Sequence, residues 1–225
     1  MTRPQSSHLQ LPQPPVLLIT DRSQTPAPLE EAVASALAAG CRWVLLREKD
    51  LAADAHRDLL ARLVALGRNY DAAIMVSDDI VAARATEAAG VHLSRDGDPG
   101  AARAALGPEA LIGVSAHDAA EAAAAAHAGA DYVTLSPIFE SLSKPGYGPQ
   151  LGLAGLSAVA NRLAIPILAL GGITYLNARE CLKHGAAGVA AMGEVMGADD
   201  PGAAMLRLLS ALAKGTARAG LNLCQ

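Results

Sequence analysis

Polar and charged side chains recur directly after short apolar runs along this chain. Arg47 and Lys49 follow one run, Ser77 and Asp78 follow the next, and Asp96 lies just beyond a third. Arg and Lys side chains bind phosphate oxygens, and paired carboxylates suit a hard divalent cation such as Mg²⁺. If these runs end at one rim, the residues predict a site for a pyrophosphate held together with Mg²⁺.

The fifth apolar run leads into Ser115 and His117. The chain has six histidines, and only His117 follows such a run beside a serine, the place for a general acid or base. No G-x-S-x-G elbow surrounds Ser115, so a nucleophile triad is not predicted. His92 lies inside an apolar run, where a hydrogen-bonded core histidine is the expectation.

Glycines and one long connection complete the set of candidate positions. Gly171-Gly172 and Gly193 follow the last two apolar runs, where open backbone N–H groups can hold a second phosphate. A tight turn alone is the alternative explanation for these glycines. The connection 138–152 is longer than the ~2 to 6 residues usual for such loops, which predicts a functional loop. Three of its residues suit phosphate: Ser141, Ser143 and Lys144.

The elements that would position these residues alternate regularly. Apolar runs without internal alternation are typical of parallel strands buried on both faces, and amphipathic Ala/Leu segments between them predict helices. The strands are predicted at 16–20, 43–46, 73–76, 90–93, 111–114, 132–135, 167–170 and 189–192. The helices are predicted at 29–39, 53–67, 80–89, 99–106, 118–128, 154–163, 175–184 and 201–214. Four joints carry a glycine that can end a helix in the left-handed conformation: Gly40, Gly90, Gly129 and Gly185.

Eight such units predict an α/β fold, a single-domain (β/α)8 TIM barrel over 15–225, whose strand ends share one catalytic face. Residues 1–14, with three prolines and two serines, are predicted to form a flexible N-terminal arm. An open doubly wound sheet is the alternative fold. The turn after the first strand lacks G-x-G-x-x-G, which disfavours a nicotinamide cofactor.

Composition excludes several classes of function. A net charge of −4 with one Trp, four Tyr and one Phe gives neither the basic surface nor the stacking platforms of a nucleic-acid binder. No apolar run approaches the ~18 residues of a membrane span, and the polar start is not a secretory signal, so we predict a cytoplasmic protein without membrane partners. Cys41, Cys181 and Cys224 lack disulfide or zinc spacing. A homo-oligomer is left open.

Ordered motifs from about 16 to 214 make the chain similar to the thiamine phosphate synthase family and to the related thiazole tautomerase family. They are LITDR, LLREKDL, SDD with GVHLSRD, IGVSAH, GADYVTLSPIF with SLSK, and ALGGIT. The resemblance implies a barrel that joins a pyrimidine pyrophosphate to a thiazole phosphate and releases pyrophosphate.

The resemblance also implies roles for individual residues. Arg47, Lys49 and Lys144 would bind pyrophosphate with Ser115, Asp78 and Asp96 would bind Mg²⁺, and Ser141, Ser143, Gly172 and Gly193 would surround the thiazole phosphate. The chain departs from the synthase pattern in its pyrimidine-recognition layer and last strand. It has Leu45, Ser77, Arg95 and Gly193 where that pattern has Gln, Asn, Gln and Ser; we keep Ser77 as a substrate-binding candidate.

Two alternatives to the synthase follow from the same residues. The tautomerase relatives use a histidine at the position of His117 and typically lack the acids that bind metal. A non-catalytic barrel that binds a thiazole phosphate as a regulator is compatible with the fold. We favour the synthase because Asp78 and Asp96 have no use in a tautomerase, and two carboxylates facing one pocket would otherwise repel each other.

Overall fold

The computed structural model describes residues 10–140 and 148–213. In these ranges eight parallel strands form a closed barrel in sequential order, with β8 paired to β1. The strands are β1 (Val16–Ile19), β2 (Trp43–Leu46), β3 (Ala73–Ser77), β4 (Gly90–Leu93), β5 (Leu111–Ala116), β6 (Tyr132–Leu135), β7 (Ile167–Ala169) and β8 (Gly188–Ala191). The predicted (β/α)8 barrel is confirmed.

Helices connect the strands and cover the outside of the barrel. They are α1 (Leu29–Ala38), α2 (Ala53–Arg68), α3 (Ile80–Thr86), α4 (Pro99–Leu106), α5 (Ala119–His127), α6 (Gly152–Ala160), α7 (Ala178–Lys183), α8 (Gly193–Met196) and α9 (Pro201–Ala213). Within the described ranges, none of these helices has the length and apolar character needed to cross a membrane.

Strand side chains alternate between two hydrophobic cores. One core fills the barrel and includes Leu17, Trp43, Met75, Tyr132 and Leu168. The other lies between the strands and the helices and includes Leu18, Val44, Val76, Val133 and Ile167. Because both faces of each strand are buried, the runs are apolar throughout instead of alternating with polar residues.

The helix joints follow the predicted glycine pattern with one exception. Positive φ angles confirm the prediction at Gly40, Gly129 and Gly185. At Gly90 it is wrong: α3 ends at Thr86, Glu87 takes the left-handed conformation with φ 56°, and Gly90 is the first residue of β4. A Cβ at Gly90 would lie 1.9 Å from the carbonyl oxygen of Leu111. Glycine is therefore required there by the close approach of β5.

The segment before β1 is partly packed. Residues 1–9 of the predicted arm lie outside the described residues. Leu11 is 9% exposed and belongs to the cluster inside the barrel together with Leu111 and Tyr132. Leu11 therefore corrects the prediction of a flexible arm at this position: its apolar side chain gains more from burial in the barrel than from solvent exposure.

Candidate functional site

A cavity of about 870 Å³ lies at the carboxyl ends of β1, β2, β6, β7 and β8. It brings together three predicted site residues, Arg47, Gly172 and Gly193. Three acids that the sequence interpretation did not single out, Asp21, Glu140 and Glu194, line it as well. The cavity therefore combines a guanidinium group with glycine turns, as predicted, although with more negative charge.

Arg47 enters this cavity from the loop that follows β2. Its backbone N–H donates to Thr20 Oγ1 at 3.0 Å, which ties the ends of β1 and β2 together. Burial alone would raise the pKa of Asp21, but hydrogen bonds from Ser23 and Gln24 and the charge of Arg47 lower that pKa below its usual value. The charge of Arg47 therefore helps to keep the nearby Asp21 carboxylate ionised.

Glu48 is a structural residue of the rim that the sequence interpretation missed. Both oxygens of its carboxylate accept the backbone N–H of Arg22 at 3.1 Å, and its side chain is 2% exposed. Glu48 thereby fixes the loop after β1 to the loop that carries Arg47 and Lys49. An acid between two cations gave no sequence signal for this role, because its partner lies 26 residues away.

The glycine pair after β7 has a packing function. Gly171 and Gly172 have φ of 94° and 62°, and a Cβ on Gly172 would lie 2.2 Å from the carbonyl oxygen of Glu140. The N–H of Phe139 donates to the Gly171 carbonyl at 3.1 Å. A tight turn, the alternative explanation, thus accounts for glycine at both positions. Both Gly172 and Gly193 line the cavity. Among the backbone hydrogen bonds of the described turns, loops and helix caps, none has the N–H of either glycine as its donor.

A second cavity, of about 690 Å³, lies between the loops that follow β2 and β3. It contains three predicted site residues, Lys49, Ser77 and Asp78. Three further titratable side chains line it, Glu48, His56 and Asp79. His56 Nδ1 and Asp79 Oδ2 are 3.9 Å apart. Arg47 and Lys49 therefore line different cavities, although only one residue separates them.

The two predicted metal ligands belong to neighbouring loops. Asp78 adopts φ 58°, and its Oδ1 accepts the backbone N–H of Ser94 at 2.6 Å. Asp96 follows two residues later; its side chain is 84% exposed and lies 3.5 Å from Arg95 Nε. That Asp78 and Asp96 share one ion stays a prediction.

The donor set fits Mg²⁺ only in company with a phosphorylated ligand. Among the described residues, no group of three or more His, Cys, Asp or Glu side chains is placed to hold a metal ion. Mg²⁺ is commonly bound by one or two carboxylates together with waters and substrate phosphates. Asp78 and Asp96 match that donor set, and Asp96 would exchange its contact with Arg95 for the ion.

His117 is held by a carboxylate that the sequence interpretation did not identify. Its Nδ1 lies 3.0 Å from Glu121 Oε2, and its backbone N–H donates to the same oxygen at 2.7 Å. Burial would raise the pKa of Glu121, but the hydrogen bonds from His117 lower it overall. Arg95 Nη1 lies 3.4 Å from the other oxygen, Oε1. The imidazole is therefore oriented by an ionised acid on the first turn of α5.

The remaining predicted residues divide into two groups. Ser115 is half-buried near the carboxyl end of β5, with Oγ 3.1 Å from His92 Nε2. His92 is buried, as expected for a core histidine. Neither Ser115, His117 nor Asp96 is among the lining residues of the two cavities. The predicted phosphate residues of the long loop, Ser141, Ser143 and Lys144, lie outside the described residues.

Fold and rim together define a (β/α)8 barrel with two cavities, lined by charged side chains, at the carboxyl ends of its strands. The family model described as "Thiamine monophosphate synthase" matches residues 16–195, and the chain belongs to this family. It is similar to the thiamine-phosphate synthases of Roseiflexus sp. (38% identity, 91% of this chain and 89% of the relative) and Salinispora tropica (39%, 87% and 95%). The solved structure of thiamine phosphate pyrophosphorylase from Pyrococcus furiosus superposes with a TM-score of 0.79 at 33% identity, over 88% of this chain and 95% of that chain.

Proposed function

We propose that this chain is a transferase, a thiamine phosphate synthase that joins hydroxymethylpyrimidine pyrophosphate to thiazole phosphate and releases pyrophosphate. The observation that carries the proposal is the extent of the family match. Residues 16–195 run from β1 into α8 and so include every rim residue from Arg47 to Gly193. Two cavities at the rim, one lined by Arg47, Gly172 and Gly193 and the other by Lys49, Ser77 and Asp78, suit two phosphorylated substrates.

The reaction requires charge neutralisation rather than a protein nucleophile. Departure of pyrophosphate from the pyrimidine methylene leaves a carbocation of the benzylic type, which the thiazole nitrogen then attacks. Lys49 in the second cavity and Arg47 beside it supply positive charge to the leaving group, and Ser77 and Ser115 supply hydroxyls. The gain in rate comes from this stabilisation and from alignment of the two substrates.

The thiazole phosphate is assigned to the larger cavity. The N–H groups of Gly172 and Gly193 can donate to its phosphate oxygens, at the place near strands seven and eight where barrels commonly bind phosphate. Seating the thiazole there and the pyrophosphate on the side of Lys49 and Asp78 would bring the two reacting atoms together between the cavities. Lys144, Ser141 and Ser143 keep their predicted phosphate-binding roles as part of this proposal.

Mg²⁺ is part of the proposal. Asp78 and Asp96 would hold it together with pyrophosphate oxygens, and when bound it supplies further positive charge to the leaving group. Asp78 is anchored by the Ser94 N–H, which would hold its carboxylate in position to bind the ion. A cytoplasmic location and the absence of a nucleic-acid partner stay predictions, and a homo-oligomer stays open.

A second candidate, thiazole tautomerase activity, is favoured by one specific observation. Tautomerisation of a thiazole carboxylate phosphate moves a proton at the ring, and His117 held at Nδ1 by Glu121 has the arrangement of an oriented general acid or base. A carboxylate on Nδ1 fixes the orientation of the ring. Proton transfer of this kind contributes ~10²- to 10⁴-fold to a rate.

The two candidates are separated by comparing Asp78→Ala with His117→Ala. We expect the wild-type protein to couple the two substrates in the presence of Mg²⁺. Coupling should collapse in Asp78→Ala and partly survive in His117→Ala. Asp54→Ala, which removes an exposed carboxylate paired with Arg57 on α2, is the matched control and should behave as wild type. If no coupling is measured and isomerisation is lost only in His117→Ala, the tautomerase replaces the synthase.

A further inference from the structure

A chain of polar side chains crosses the otherwise apolar interior of the barrel. His92 on β4 lies with its Nδ1 3.1 Å from the Tyr132 hydroxyl of β6. Its Nε2 lies 3.1 Å from Ser115 Oγ and 3.2 Å from Thr134 Oγ1. Of these residues Ser115 alone is half-buried and the others are buried. These hydrogen-bonded side chains therefore run from the centre of the barrel to its carboxyl end and stop at Ser115, a residue predicted to bind substrate.

A glycine in the middle strand makes this contact possible. In the strand register His92 is opposite Gly113, and Gly113 is opposite Tyr132. A Cβ at Gly113 would lie 2.4 Å from His92 Nδ1 and 2.2 Å from Tyr132 Cζ. Any side chain on β5 at this position would separate the imidazole from the phenol. The packing of three strands is thus built around the contact between His92 and Tyr132.

The direction of the hydrogen bonds follows from the acceptors available to Tyr132. Its hydroxyl has two acceptors in reach: His92 Nδ1 at 3.1 Å and Met75 Sδ at 3.7 Å. Met75 Sδ already accepts the Trp43 indole N–H at 2.9 Å, and a thioether is a weak acceptor. Tyr132 therefore donates to Nδ1. With Nδ1 as the acceptor, the single proton of the neutral, buried ring is on Nε2.

The position of that proton decides what Ser115 can bind. With Nε2 as the donor, the Ser115 oxygen accepts from the ring, and the hydroxyl proton is free to point out of the barrel. With the opposite tautomer, Ser115 would donate its proton to the ring and present only lone pairs, which repel a phosphate oxygen. Thr134 Oγ1 lies 3.2 Å from the same nitrogen, so in the opposite tautomer the two hydroxyls compete to donate to it; in the first arrangement the ring never takes the Ser115 proton, which stays available to an anion.

We propose that His92 is a positioning residue: fixed at Nδ1 by Tyr132, it donates from Nε2 to Ser115 and thereby turns the Ser115 hydroxyl outward as a donor to the pyrophosphate. The inference deepens the proposed function and rests on it for the identity of the anion. His92 itself touches no substrate and acts only through Ser115.

The tautomer can be measured without any assay of activity. In nitrogen-15-labelled protein, long-range proton–nitrogen correlation spectra distinguish a protonated Nε2 from a protonated Nδ1. The His92 signals are identified by their absence in His92→Gln. We expect the Nε2–H form; finding the Nδ1–H form would overturn the inference.

Binding of inorganic pyrophosphate with Mg²⁺, followed by titration calorimetry, tests the connection to Ser115. Loss of a hydrogen bond to a charged group weakens binding by about 10- to 100-fold, and we expect this in both Ser115→Ala and His92→Leu. His92→Gln keeps an N–H donor near the Nε2 position and should restore most of the affinity. Thr134→Val removes the buried hydroxyl that shares Nε2 and serves as the matched control, with near wild-type binding.

A double-mutant cycle shows whether His92 acts through Ser115. In the Ser115→Ala background, His92→Leu should weaken pyrophosphate binding by less than about 2-fold, since the interaction is already absent. Additive effects of the two changes, or wild-type affinity in Ser115→Ala, would overturn the inference. The proposed function is judged separately by coupling in the wild-type protein, so either conclusion can fail without the other.

Discussion

Gly172→Ala tests the packing that builds the larger cavity. Gly172 combines a left-handed φ of 62° with a close approach of the chain, since a Cβ added to it would lie 2.2 Å from the Glu140 carbonyl oxygen. A left-handed conformation costs a residue with a Cβ about 1 to 2 kcal/mol. Overpacking against a neighbour costs about 1 to 3 kcal/mol more. We therefore expect the free energy of unfolding to fall by about 2 to 5 kcal/mol.

Gly152→Ala is the matched control for this variant. Gly152 has nearly the same φ, 63°, and a Cβ there meets nothing within 4 Å. It should carry only the conformational cost of about 1 to 2 kcal/mol. The difference between the two variants therefore isolates the contact of Gly172 with Phe139 and Glu140.

Thermal and urea unfolding of both variants measure this difference. In a protein of this size each kcal/mol lowers Tm by about 2 to 4 °C, and a stability of about 5 to 15 kcal/mol is typical, so Gly172→Ala should still fold. Coupling activity should fall in Gly172→Ala because the Glu140 backbone, which borders the cavity, must move away from the added Cβ. Equal Tm values for the two variants would refute the packing argument.

Three further predictions concern charge, pH and thiol reactivity. Arg47→Ala should lower the coupling rate by about 10²-fold, whereas Arg57→Ala, which removes an exposed guanidinium paired with Asp54, should leave it unchanged. Burial lowers the pKa of His92 to about 4 from about 6.5 in the unfolded chain. Between these two pH values the unfolded state therefore binds more protons than the folded state. The free energy of unfolding should rise with pH across that range. Urea titrations in EDTA should show this slope in the wild type and its loss in His92→Gln. Burial raises the pKa of Cys41 and of Cys181 to about 11, so in a Cys224→Ser background a thiol reagent should react only after urea unfolding, and rapid reaction of the folded protein would contradict the burial.

Strand positions were predictable because burial on both faces leaves a continuous apolar signal. The predicted and observed ends of strands and helices differ where specific side-chain or backbone contacts, not hydropathy, set the boundary. β5 continues to Ala116 because Ser115 and Ala116 pair with Thr134 and Leu135 in β6, and a serine in a strand does not look apolar. α7 begins only at Ala178, since Asn177 Oδ1 accepts the Thr174 N–H and holds the preceding residues in a turn. α8 has four residues, too few to show a helical period.

The hydrogen-bond and ion-pair partners of the rim residues could not be predicted from the sequence, because each pair joins segments that are distant along the chain. Glu48 takes its donor from Arg22 in the loop after β1, and Arg95 reaches Glu121 on α5. Each acid is one of several in its segment, and nothing in local spacing distinguishes it from a solvated surface carboxylate. Only closure of the barrel, which brings neighbouring loops side by side, selects these partners.

The separation of Arg47 from Lys49 has a local cause. In an extended strand, residues two apart point to the same side, so a continuous strand through Lys49 would place both cations in one cavity. β2 ends at Leu46, however. Glu48, which separates the two cations, accepts the backbone N–H of Arg22 with its carboxylate. The period of two therefore stops before the functional residues begin. A rim is predictable from strand ends, but the division of its side chains between cavities depends on how each loop leaves its strand.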